Sequence, residues 1–194
     1  MKAETRDWMP GGWIFVVAAL LLGMAVEAGA TTLQRMSVRE MTRRAEMVVR
    51  ARCVANTTEW NAGEIWTFTT FEIEETWKGE PAGRIRVRLL GGRAGDVTST
   101  VAGVPRFRQG EEVVLFLERT ARGDYSVVSW MQGTFRIRRD ARGGQETVTQ
   151  DTAGFEVYDP ATRRFAAAGV RSESTARFKA EVVAASGADG RITR

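Results

Sequence analysis

The stretch Gly103–Leu117, GVPRFRQGEEVVLFL, decides how the chain is read. Its second half, Val113-Val114-Leu115-Phe116-Leu117, is apolar at every position. A strand that faces water on one side alternates, whereas a strand apolar at both parities is covered on both faces. Gly103-Val104-Pro105 and Gln109-Gly110 punctuate the approach to it. The stretch therefore predicts the central strand of a β-barrel or sandwich, reached through a tight loop.

Working towards the N-terminus, Arg84–Leu90 alternates cleanly, with Ile85, Val87 and Leu89 inward and Arg84, Arg86 and Arg88 outward. Glu64–Trp77 is rich in aromatic and β-branched residues, a strand signal. Ile65, Phe71, Ile73 and Trp77 share one parity, and Glu72 and Glu74 take the other. Trp66 and Phe68 interrupt that alternation, which implies a bulge or a cover on both sides. Met47–Asn56 also has period two and turns at Asn61-Ala62-Gly63. The outward charges run Arg50/Arg52, then Glu72/Glu74, then Arg86/Arg88. In an antiparallel meander these meet across strands, at about 0.2–1 kcal/mol per pair. The alternative is an anion-binding face.

Cys53 falls on the apolar parity of its strand and reads as a buried inert thiol, with a reactive or intermolecular thiol as the alternative. Ser37–Met47 reads as a helix with a capping box between Ser37 and Glu40. After the central strand, Tyr125–Met131, Gly133–Arg138 and Glu146–Thr149 read as strands, with Arg142-Gly143-Gly144 as a hairpin turn. Phe155–Tyr158 is a short segment stopped by Asp159-Pro160. Ser172–Ala185 reads as a helix with Phe178, Val182 and Ala185 on one side, and residues 187–194 as a frayed tail.

Gly91–Pro105 reads as a long polar loop without structure of its own, which is the usual place for binding. Its glycines are not a phosphate loop, since no G-K-[ST] follows and GGRAG is not G-x-G-x-x-G.

At the N-terminus, Lys2 and Arg6 precede the apolar run Ile14–Val26, and Ala28-Gly29-Ala30 supplies a small-x-small cleavage pattern. The run is shorter than the ~20 residues of a membrane span, so residues 1–30 read as a signal peptide, with an uncleaved anchor as the alternative. Residues 31–186 then form one β-barrel-like domain, with no membrane span after signal cleavage. A single cysteine excludes an intrachain disulfide and suits a bacterial envelope or secreted protein stabilised by packing. The formal net charge of +4 is compatible with anionic partners.

The absent residues narrow the chemistry. Without histidine there is no Ser-His-Asp or Cys-His nucleophile, no imidazole ligand and, with one cysteine, no ordinary zinc site. Asp140, Asp151 and Asp159 lack the EF-hand spacing. What remains is carboxylate chemistry among Glu72, Glu74, Glu75, Glu111 and Glu112, as in a glycoside hydrolase. No metal or other cofactor is expected. Export and the missing RNP aromatic motif argue against nucleic acid.

The order of helix, three-strand meander, glycine-rich crossover and further strands is similar to an OB-like five-stranded barrel. Ala45–Arg52 (AEMVVRAR), Trp77-Lys78-Gly79 and Gly103–Leu117 also resemble a group of uncharacterised exported bacterial proteins. That resemblance covers about Ser37–Arg138 and implies export and a small β domain, without an activity. The disulfide-rich tissue-inhibitor and netrin-type domains share the OB-like form, but the inhibitors' N-terminal metal-chelating Cys has no counterpart here. An OB fold also carries a helix between its third and fourth strands, where this chain has Gly91–Pro105.

These readings converge on a mainly β fold, an OB-like or other antiparallel barrel or sandwich with an N-terminal and a C-terminal helix. The expected function is non-catalytic recognition of a protein or envelope component by Arg93, Asp96, Thr98 and Ser99 with Arg106 and Arg108 beside them. The alternative is a carbohydrate-binding module stacking sugars on Trp60 and Trp66, and less favoured is the carboxylate hydrolase.

Overall fold

The computed structural model describes residues 34–140, 144–152, 155–167, 169–170 and 172–189. The expected signal peptide, the turn at Arg142-Gly143 and the end of the tail lie outside these residues. The fold is mainly β. Helix α1 (Val38–Arg44) opens it, capped as its sequence predicts: Ser37 Oγ accepts from the Glu40 N–H at 3.2 Å, and Glu40 Oε2 accepts from the Ser37 N–H at 2.7 Å. Strands β1 (Met47–Asn61), β2 (Glu64–Lys78) and β3 (Arg84–Leu90) follow as an antiparallel meander. Ala62 and Gly63 both take positive φ, 54° and 83°, at the turn between β1 and β2.

Gly91–Pro105 differs from its expected form. It folds a small hairpin, β4 (Gly92–Ala94) and β5 (Val97–Ser99), where an OB fold has its helix. Strand β6 (Glu112–Arg119) contains the decisive apolar run and pairs with β1 along one edge. Its other edge takes β7 (Tyr125–Val127) and β8 (Thr134–Arg138). Tyr125–Met131 is thus only partly strand. Ser129 and Trp130 enter the left-handed region, with φ of 50° and 52°, and a 3-10 turn at Trp130–Gly133 redirects the chain into β8.

Strand β9 (Thr147–Gln150) extends the sheet beyond β8, and β12 (Glu173–Ser174) beyond β9. Strands β10 (Glu156–Asp159) and β11 (Arg164–Ala167) form a separate hairpin, where the sequence shows only a short segment at Phe155–Tyr158. Helix α2 (Thr175–Asp189) closes the described chain and runs past Ala185, where its apolar pattern ends.

The strand neighbours run β1–β2–β3–β7–β6 and return to β1. Because β3 and β7 share only the parallel pair Val87–Tyr125, this ring is thin at one seam. The arrangement is compatible with the OB-like expectation of a partly open barrel.

Strand β6 explains itself in this setting. Val113, Leu115 and Leu117 join Val49, Ala51, Phe71, Ile85 and Val87 in the core enclosed by the ring. Val114 and Phe116 face the other way, into a second core with Met41, Val48, Phe135, Phe178 and Val182 under the two helices. Two cores on opposite faces leave no position for a polar residue.

Register irregularities between Arg50 and Ala51, and again before Ala55, shift β2 against β1. The first of them, where the pairing skips Glu74, flips Trp77 out of the parity it shares with Phe71 in the sequence and into the second core. Cys53 is fully buried in the first core, and burial pushes its thiol up, offset in part by the Asn56 side chain. The expectation of a buried thiol holds.

Candidate functional site

The cross-strand charges pair unevenly. Arg50 and Arg52 reach Glu74 at 3.0 and 2.6 Å, as the meander predicts, and Arg84 reaches Glu72 at 3.5 Å. Arg86 turns instead to Glu59 of β1, at 3.0 Å. Arg88 stacks over the Trp66 ring, 3.7 Å from its centroid.

The carboxylates weighed for acid–base chemistry are all engaged by cations. Glu74 lies between Arg50 and Arg52, and Glu75 is held by Lys179 at 2.6 Å and by the Trp77 indole at 2.9 Å. Glu111 pairs with Arg136, which also binds Asp151. Glu112, with an 8% exposed side chain, is gripped by Arg50, Arg52 and Arg139. Burial pushes the Glu112 carboxyl up, but the hydrogen bonds from Arg139, Arg50 and Arg52 outweigh it and hold the group below its ordinary range. Lys179 and the Trp77 N–H likewise lower Glu75. A glycosidase acid needs a carboxyl raised by its surroundings. Among the described residues, no group of three or more His, Cys, Asp or Glu is placed to hold a metal ion.

Most of the expected binding residues gather at one end of the β1–β2–β3 meander, whereas Arg108 lies in the turn before β6 that is bonded to Cys53 in mid-β1. The hairpin of β4 and β5 is attached at that end of the meander through two glycines. Gly91 (φ 84°) donates its N–H to the Ile65 carbonyl at 2.6 Å, and its own carbonyl accepts from Thr67 Oγ1 at 2.7 Å. At Gly92 (φ 141°) a Cβ would collide with Thr67 Oγ1 and approach Thr58 Cγ2 to 2.8 Å, so only glycine lets the hairpin lie this close.

Arg106 locks the attachment. Its guanidinium donates to the carbonyls of Gly91 at 3.0 Å, Leu90 at 3.1 Å and Ser99 at 3.5 Å, and to Thr67 Oγ1 at 3.3 Å. No carboxylate faces it among the described residues, and desolvation pulls its guanidinium down from its ordinary value. Arg106 and Ser99 therefore do meet, as clamp and clamped.

Arg93 and Thr98 are paired across the hairpin, and Arg93 bends back to the Gly95 carbonyl at 3.2 Å. Asp96 sits in the exposed turn between the two strands. Arg108 is exposed, and its backbone N–H is held by Glu111 at 3.0 Å.

The two tryptophans do not make one platform. Trp60 is registered opposite Ile65 and Trp66 opposite Glu59, so their side chains lie on opposite faces of the β1–β2 hairpin. Trp60 is 55% exposed, whereas Trp66 is half-buried under Arg88.

Sequence reasoning missed Arg88 and Phe68 as members of this region. The broken alternation at Trp66 and Phe68 was the available signal, since two aromatics on an outward parity need a cover. No helix among the described residues is long and apolar enough to cross a membrane. Compared with family models and with curated proteins, the chain matches none.

Proposed function

We propose that this chain is an exported, non-catalytic binding module that recognises a protein or envelope component through the β4–β5 hairpin and the arginines beside it. The observation that carries this reading is a set of cations without counter-ions: no carboxylate pairs with Arg88, Arg93 or Arg106 among the described residues. Around Glu112, by contrast, three arginines are neutralised by a network centred on that buried carboxylate. Guanidinium groups held by neutral oxygens and rings rather than by carboxylates leave positive charge at this end of the sheet, which suits an acidic partner.

The test is capture from the native envelope fraction by the wild-type chain and by a variant in which Arg93–Thr98 is replaced by a Gly/Ser linker. Ser99 and Gly91, which Arg106 holds, are left in place. The replaced side chains are exposed or half-buried, so thermal stability is expected to stay within a few degrees of wild type. A partner held by the wild type and lost by the variant supports the reading. Equal capture by both removes the hairpin from it.

A further inference from the structure

The outward face of β2 and β3 carries a strip that the hairpin does not use. Trp66 and Leu90, Phe68 and Arg88, and Thr70 and Arg86 are register partners there. The Arg88 guanidinium lies 3.7 Å from the Trp66 centroid and 6.0 Å from that of Phe68, and Arg86 lies 3.8 Å from the Phe68 centroid. Phe68 is only 5% exposed although it points away from the enclosed core, because the arginines roof it. The order along the face is therefore Trp66, Arg88, Phe68, Arg86, ring and cation in alternation.

Two features of Arg88 stand out. No carboxylate pairs with it among the described residues. Its Nε–H and the neighbouring Trp66 Nε1–H are both shielded from solvent without an acceptor. A buried donor without a partner loses its hydrogen bond to water with nothing in return, so two side by side mark an unfinished network. The stack fixes the guanidinium plane, which prepares its fork for an oxyanion. Arg86 is a weaker second cation: its pair with Glu59 is half-exposed on both sides and exchanges readily. Arg86 and Arg88 are two residues apart on one strand, about 7 Å at ~3.3 Å per residue.

We propose that this strip binds an extended anionic polysaccharide, with Arg88 as the main contact and Arg86 as the second. The proposal rests on reading this end of the meander as a binding surface and names the class of partner. A membrane fits less well, because neither Trp66 nor Phe68 offers an exposed apolar side chain for the acyl boundary. Single-stranded nucleic acid fits less well, because the Phe68 ring is already covered and Trp66 carries Arg88, leaving no open stacking platform. A chain of saccharides bearing carboxylates or sulfates asks only for donors directed outwards.

The experiment is binding of the full chain to immobilised heparin and to polygalacturonate at low salt. Neutral dextran, anionic phosphatidylglycerol vesicles and a single-stranded oligonucleotide are the comparison surfaces. Binding to the two anionic polysaccharides that weakens steeply with salt, and at least tenfold in Arg88→Gln, is the expected result. Arg84→Gln, at the far end of β3, is expected to change it less than threefold. Trp66→Phe keeps a stacking surface while removing the indole donor and is expected to weaken binding about threefold, which preserves the test if Arg88→Gln fails to fold. Absence of polysaccharide binding, equal binding by wild type and both stack variants, or tighter binding to vesicles or oligonucleotide overturns the proposal. Hairpin-dependent capture without polysaccharide binding removes this inference alone. Polysaccharide binding that needs Arg88 while capture ignores the hairpin supports the inference and removes the hairpin reading.

Discussion

Phe116→Ala is expected to lower stability by about 3–5 kcal/mol, the range for emptying a fully buried phenylalanine site. Phe116 has no exposure, and its ring lies 5.5 Å from that of Phe135 and 6.2 Å from that of Phe178. These three rings join β6, β8 and α2, so the cavity opens where the sheet and the C-terminal helix are held together. For a chain of this size the thermal midpoint should fall by about 10 °C. Val97→Ala, on the exposed tip of the hairpin, is expected to change stability by less than about 0.5 kcal/mol. A Phe116→Ala loss below about 1 kcal/mol in urea unfolding would mean that the second core is not a cooperative part of the domain.

Glu112→Gln has the next largest expected effect, about 1–3 kcal/mol, because it removes one of the three carboxylates around the largely buried Arg50 guanidinium, which keeps Glu74 and Glu146. The low end of the range applies, since Arg52 and Arg139 are more exposed and can turn to water. The variant also has a pH signature. Hydrogen bonds from arginines hold Glu112 below its ordinary value of 4.5 in the folded state, against the push of burial. The Arg50 hydrogen bond does the same for Glu146, again from 4.5. A carboxyl depressed on folding contributes stability above its unfolded pKa and loses it as pH falls through the folded one. Wild-type stability should therefore decline on acidification below about pH 4.5. The gap between wild type and Glu112→Gln should narrow over the same interval. A gap that stays constant from neutral pH down to pH 3 would contradict the assignment.

Much of this architecture is legible in residue patterns, and its failures have physical causes. The doubly covered β6, the clean alternation of β3 and the capping box at Ser37 and Glu40 are local signals that tertiary structure leaves intact. Trp77 went astray because a bulge reverses parity in a way that periodicity alone does not reveal. The β4–β5 hairpin was hidden because its strands are three residues each and its glycines read as loop punctuation. Tyr125–Met131 looked like one strand, but Ser129 and Trp130 take left-handed backbone that neither residue type announces.

The site was legible in part for a related reason. Arg106 reads from the sequence as an exposed cation, whereas its contacts are carbonyls of a hairpin that the sequence does not show. Proximity in sequence groups Trp60 with Trp66, but pairing register places them on opposite faces. By its parity Arg88 reads as one of the cross-strand ion pairs, and its stacking on Trp66 follows from a register that sequence alone does not fix.

The central claim is that the partner is met by the β3 end and the hairpin that follows it. Its most direct test is amide hydrogen exchange on the full chain, free and saturated with the component it captures from the envelope fraction. The prediction is new protection over residues 86–99, with the β10–β11 hairpin and helix α2 unchanged. Protection confined to β10–β11 or to α2, with residues 86–99 exchanging as in the free chain, would contradict it.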